Sequence, residues 1–147
     1  MKRIRNDRNH AAAKYTCFVL LFFSFITISQ SINAQANKWI APKEADDLKN
    51  PLADKTDVLP NAKVMYTTYC APCHGNKGKG DGPAAAGLTK KPADHSSAYV
   101  QTQTDGAIFW MISEGHTPMP SYKVAFTETQ RWALVNYIRT LAKTPKK

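Results

Sequence analysis

The feature that most constrains this chain is Cys70-Ala71-Pro72-Cys73-His74, with Gly75 directly after it. Two thiols separated by two residues and followed at once by a histidine read as a c-type haem attachment site. Each group has a chemical task. The sulfurs of Cys70 and Cys73 can add to the two vinyl groups of a haem and hold it through thioethers, so one covalently bound haem c per chain is expected. The imidazole of His74 is then carried under the iron as an axial ligand, and axial ligands decide what a haem does. Three other readings compete: a thioredoxin-like redox pair, half of a zinc site, and a plain disulfide. A thioredoxin-like pair expects a βαβ setting that the sequence lacks. A zinc site expects a second ligand pair, yet the remaining cysteine is Cys17, in a segment expected to be removed.

That segment begins with Lys2, Arg3, Arg5, Arg8 and Lys14, continues through an apolar run over 17–28, and ends at Ala34-Gln35-Ala36. A basic start, a short apolar stretch and an A-x-A end describe a secretory signal peptide over 1–36. The strongly apolar part is about a dozen residues, against about 20 for a membrane span. The uncharged window runs over 15–37, however, so an uncleaved anchor is the alternative, and membrane association is expected only in that case. Cys17 precedes the apolar run, which argues against a lipid-modified cysteine at the cleavage point. The expected location is the periplasm, or the exported face of the membrane. Covalent haem attachment takes place on that side in bacteria. From Asn37 onward, 15 Lys and Arg face 10 Asp and Glu, about +5 of the +9 carried by the 147 residues. A charge of this size makes no case for nucleic acid. It suits steering towards an acidic redox partner, and it equally suits a plain solvated surface.

Residues 37–60 read as an extended lead-in arm with Pro42, Pro51 and Pro60, a helical turn or two over 44–49, and Trp39 with Ile40 as its anchor. The main domain is expected over 61–147. Asn61 suits an N-cap for a helix over 62–69, whose apolar and aromatic residues at 62, 65, 66 and 69 share one face. Gly75, Gly78, Gly80 and Gly82 follow, with Lys77 and Lys79 between them. Such a run can cradle phosphate, but no strand precedes it and the Lys-Ser/Thr ending is missing. Tight turning beside a bulky cofactor explains it better. A short helix is expected to start at Pro83 and stop at Gly87, followed by loop over 88–103. Asp105 suits an N-cap for a helix over 106–114 that stops at Gly115. A proline-flanked loop, His116-Thr117-Pro118-Met119-Pro120, comes next. Thr127-Glu128-Thr129-Gln130 is a capping box opening a helix to about Ala142, with Trp132, Val135, Ile138 and Leu141 buried. No β-type alternation is sustained, so the class is all-α.

These residues resemble the small class I c-type cytochromes of bacteria over roughly 62–141. The resemblance rests on the CxxCH-Gly motif, Gly80-Asp81-Gly82-Pro83, Pro92-Ala93-Asp94 and the residues from Asp105 to Trp110. It continues through the residues from Gly115 to Pro120, then Gln130-Arg131-Trp132 and Asn136-Tyr137-Ile138-Arg139. It implies a small helical shell around one haem, with first and last helices crossing and Tyr66 and Tyr137 packed at the crossing. It also implies that the carbonyl of Pro92 accepts the Nδ1–H of His74, fixing that ring's tautomer and orientation. The chain departs from the family at Ala62, often a glycine, and at His95, where related sequences tend to carry an apolar aromatic.

Met119 is the expected sixth ligand. A thioether binds iron weakly, so the protein must hold the sulfur in place, and two flanking prolines stiffen the loop. Met111 lies within a helix and Met65 is too near His74 in sequence to reach the opposite face. His116 and His95 are the rivals, since imidazole binds iron more strongly. Met/His ligation closes the site and suits one-electron transfer, so the chain is expected to be a carrier in a respiratory chain and not an enzyme. The alternatives are a haem subunit of a membrane quinol-oxidising or terminal oxidase complex, and a haem enzyme such as a peroxidase, which Met119-Pro120 counts against. No acid/base or nucleophile constellation is present. Asp81, Asp94 and Asp105 suit turns and caps, while Lys77, Lys79, Lys90 and Lys91 could ring an exposed haem edge.

Overall fold

A computed structural model describes residues 39–142, and the segment expected to be a signal peptide lies outside them. The chain divides at Trp39, and the architecture below is that of the unit from Ile40 onward. Five α-helices are present among the described residues: α1 Leu59–Met65, α2 Ala71–His74, α3 Ala98–Gln101, α4 Asp105–Glu114 and α5 Glu128–Thr140. Short 3-10 turns sit at Lys43–Asp47 and Ala85–Gly87. The described residues contain no strand, only an isolated bridge between His116 and Met119.

The helix carrying the cysteines starts two residues before Asn61. Pro60 occupies its first turn, where the missing N–H costs nothing and the fixed φ favours helix, so Asn61 lies inside and caps nothing. Between α1 and α2 the chain widens into one π turn over Tyr66–Cys70, with the Ala71 N–H reaching back to the Tyr66 carbonyl. The helix then runs on to His74 and stops at Gly75, whose φ of 77° is left-handed.

The glycine run after it satisfies the carbonyls that a helix end leaves without partners. The N–H groups of Ala84, Gly82 and Gly80 donate to Pro72, Cys73 and His74 at 2.9, 3.1 and 2.8 Å. Those N–H groups serve the helix, not a phosphate. Gly78 is required on steric grounds, since a Cβ there would press on the side chains of His95 and Leu141.

Thr104, not Asp105, caps α4, its hydroxyl accepting from the Ala107 N–H at 3.0 Å. Asp105 stands one residue inside because its carboxylate is engaged elsewhere: Arg139 of α5 donates to it at 2.7 and 2.8 Å, and Asn50 at 2.8 Å. The expected capping box opens α5, with Gln130 N to Thr127 Oγ1 at 3.2 Å and Thr127 N to Gln130 Oε1 at 2.8 Å. Trp132, Val135 and Ile138 are buried as expected, Leu134 is fully buried and Leu141 is half-buried. Each such aliphatic side chain stabilises the fold by about 1.5–3 kcal/mol.

Helix α5 is the hub: α1 and α4 both pack on it. Tyr66 and Tyr137 meet there with ring centroids 5.0 Å apart, and Ala62 is fully buried. Phe109 of α4 stacks on Trp132 of α5 at 3.9 Å. The loop expected over 88–103 contains the single turn α3, capped by Ser97.

The lead-in arm is tied down at points that its sequence does not announce. Ile40 is 74% exposed and anchors nothing. The contacts come from Ala45, which is buried, from Leu52 against the core, and from Asn50. Asn136 of α5 donates to the Leu52 and Lys55 carbonyls and accepts from Asn50 at 2.8 Å.

Candidate haem site

Helix α2 presents Cys70, Cys73 and His74 within its single turn and the residue before it. Both cysteines are free thiols and half-buried. Burial, with the neighbouring Cys73 adding to it, pushes the Cys70 thiol up to about 12. It therefore keeps its proton at neutral pH, the opposite of an activated redox dithiol.

His74 is buried, and its Nδ1 lies 3.0 Å from the Ala93 carbonyl. A carbonyl only accepts, so Nδ1 carries the hydrogen and Nε2 is left with its lone pair available to a metal. Burial lowers the pKa of the ring while the Ala93 carbonyl pulls it back up, and the net effect favours neutral imidazole. The bond runs to Ala93 and not to Pro92, which corrects the sequence-based assignment by one residue. The Pro92 carbonyl lies against Gly80 instead, where a Cβ would collide with it. The donor set fits a covalently held haem: two thiols and a neutral imidazole with one free nitrogen, all from one continuous stretch of helical backbone.

His95 lies beside His74, the two rings stacked with centroids 4.0 Å apart and planes 20° from parallel. Its Nδ1 is 3.0 Å from the Tyr66 hydroxyl. Burial and the adjacent His74 hold His95 well below the usual histidine range, with Asp94 pulling the other way. Its backbone is fixed as well: its N–H donates to Gly78 at 2.6 Å and its carbonyl accepts from Gln101 Nε2 at 2.7 Å. Asp94 serves as a turn residue, its carboxylate accepting from the Ser96 N–H and hydroxyl at 2.8 and 2.6 Å.

Met119 is half-buried in the loop between α4 and α5. His116 and Met119 exchange backbone bonds of 2.8 and 2.9 Å around Thr117 and Pro118, whose peptide bond is cis. The loop is then pinned at several points. Ser121 Oγ donates to the Ser113 carbonyl at 2.6 Å, and the Tyr122 N–H to Ile112 at 3.1 Å. The Tyr122 hydroxyl donates to the Tyr69 carbonyl at 3.1 Å, tying the loop to the π turn that ends at Cys70. His116 is exposed, with Nδ1 3.2 Å from the Thr117 carbonyl. Met65 packs against the core from α1, and Met111 is half-buried on α4. Lys77, Lys79, Lys90 and Lys91 are all exposed.

Sequence reasoning missed Arg131, a buried guanidinium that donates to the Ser113 hydroxyl and lies 4.8 Å from the centre of the Phe109 ring. Its helical register, four and seven residues before Val135 and Ile138, was the available signal. The Tyr66–His95 bond was missed too, because no local pattern links residues that far apart.

No curated protein matches the chain. One similar solved structure is the Kuenenia stuttgartiensis reducing HAO-like protein complex Kustc0457/Kustc0458, at 25% identity and a TM-score of 0.56. The match covers 65% of this chain and 50% of that one, so the chain spans about half the length of that neighbour. The family model described as Cytochrome c matches residues 60–142, which takes in everything from the first turn of α1 to the end of α5. The chain belongs to the cytochrome c family, whose members carry covalently attached haem c.

Proposed function

We propose that this cytochrome is an exported one-electron carrier of a respiratory chain, with His74 and Met119 as the axial ligands of a single haem. Haem-based electron transfer follows from the family. When bound, the haem supplies a one-electron iron couple. Cys70 and Cys73 tether it, Ala93 holds the His74 proton on Nδ1, and Nε2 is thereby kept as the ligand atom. The observation that carries the His/Met reading is the Met119 loop, closed on itself by two backbone bonds and pinned to α4 and the π turn. A weak thioether ligand needs that rigidity. Stacking against His74 engages the ring of His95 on that ligand's own side, and His116 lies exposed. The signal-like N-terminus supports export, and the exposed lysines support transient docking to acidic redox partners.

The likeness to a component of a redox complex favours one second reading: a fixed relay subunit retained at the membrane by an uncleaved N-terminal segment. Sequencing the mature N-terminus, and asking whether detergent is needed for release, separates the two.

The ligand test is spectroscopic. The ferric protein should show the near-infrared sulfur-to-iron charge-transfer band, and Met119→Ala should abolish it, lower the reduction potential and admit carbon monoxide to the ferrous form. His116→Ala should leave the band in place. A band that survives Met119→Ala and disappears in a histidine variant sinks the assignment.

A further inference from the structure

The hydrogen bond to Ala93 fixes where the His74 proton sits and sets the ring's orientation only in part, because acceptance at a carbonyl oxygen is angularly broad. A second contact is needed to set that plane. The stacked ring of His95, 4.0 Å away and within 20° of parallel, makes it. His95 is itself held from three directions: its N–H on Gly78, its carbonyl from Gln101, and its ring on the Tyr66 hydroxyl at 3.0 Å. Gln101 also donates to the Ile138 carbonyl of α5 at 2.9 Å. Tyr66 is fully buried and packs on Tyr137. A continuous chain of rings therefore runs from the α1–α5 contact to the axial imidazole: Tyr137, Tyr66, His95, His74.

We infer that His95 is a positioning residue for the haem ligand, setting the plane of the His74 imidazole by stacking and holding that plane through the Tyr66 hydroxyl. A phenyl ring at this position could stack but could not be steered by Tyr66, so the histidine adds an orientation that an apolar aromatic lacks. The inference rests on His74 being an axial ligand. The orientation of an axial imidazole plane controls how unpaired spin spreads over the porphyrin, and so the order and spacing of the four haem-methyl resonances in the ferric state.

The test is proton NMR of the ferric holoprotein as wild type, His95→Ala, His95→Phe and Tyr66→Phe, with the charge-transfer band recorded on each sample. His95→Ala should change the order or spread of the methyl resonances while the band persists. Tyr66→Phe should move the pattern in the same sense by less, and His95→Phe, which keeps a flat ring against His74, should bring it back towards wild type. Methyl patterns unchanged in both His95→Ala and Tyr66→Phe overturn the inference. Should His95→Ala fail to mature, Tyr66→Phe alone decides it. Loss of the band in the wild type would instead overturn the His/Met reading, so the two failures are distinguishable.

Discussion

Replacing Asn136 by alanine should release the lead-in arm from the helical shell. Asn136 is 8% exposed, and its side chain donates to the Leu52 and Lys55 carbonyls and accepts from Asn50. The bond to Lys55, at 3.3 Å, is long and weak, whereas those to Leu52 and Asn50 are closer. A neutral hydrogen bond contributes about 1 kcal/mol net, and a buried carbonyl left without a partner costs about 1–3 kcal/mol. Asn50 keeps its bond to Asp105, so the main penalty falls on Leu52. The sum is about 2–4 kcal/mol, or roughly 10–25 °C in Tm for a domain of this size. Guanidinium unfolding of the haem-loaded protein followed by far-UV circular dichroism measures it. Asn50→Ala and the double variant complete a cycle, and a coupling of about 0.5 kcal/mol or more is expected for residues in contact. A loss below about 0.5 kcal/mol for Asn136→Ala would refute the view that the arm is structurally integrated.

Gly106→Ala should act on the same arm from the other side, because its Cβ would collide with the Ala45 carbonyl and crowd Leu48. A loss of about 1–3 kcal/mol, with new protease cleavage before residue 59 and an unchanged charge-transfer band, is expected. The alkaline limb should report Tyr122, whose hydroxyl is pushed up to about 12 chiefly by burial, a cause that persists once Cys70 and Cys73 are thioethers and carry no charge. An acid whose folded pKa is raised contributes stability that is fully present below pH 10 and is lost as pH rises from 10 towards 12, because the unfolded chain gives up the proton first. The denaturation midpoint should fall across that window, and less steeply in Tyr122→Phe; equal slopes would contradict it.

What the sequence disclosed was chemistry that depends on near neighbours. The CxxCH run, the Thr127–Gln130 box and the Gly115 stop each act within a single turn, so the residues alone announce them. The misreadings do not all have one cause, but in the clearest a distant partner outbid the local rule. Asp105 is a good cap by type, but Arg139 and Asn50 claim its carboxylate and Thr104 takes the cap. Asn61 lost its place to the helix-starting geometry of Pro60. Ile40 stands beside Trp39, whose indole invites an anchor reading, yet the shell has closed over Ala45, which is small enough to approach Gly106. The carbonyl facing His74 could be narrowed to a loop but not to one residue, since Pro92 and Ala93 point their oxygens to different neighbours.

The π turn over Tyr66–Cys70 has a consequence for angular phase. Each residue of a regular α-helix advances the direction of its side chain by about 100°, so one additional residue in a turn offsets everything downstream by roughly that angle. Ala62 and Tyr66 lie before or at the start of the wide turn and address α5, whereas Cys73 and His74 come after it. One continuous stretch of helical backbone thereby serves two directions that a uniform helix of the same length would not provide. Tyr69 and Cys70 are the residues through which the direction changes, and the Tyr122 hydroxyl bonds the carbonyl of the first of them. Deleting Thr67 or Thr68 from that turn would leave the attachment motif intact as a string of letters and swing its thiols and imidazole by roughly the same angle relative to α5.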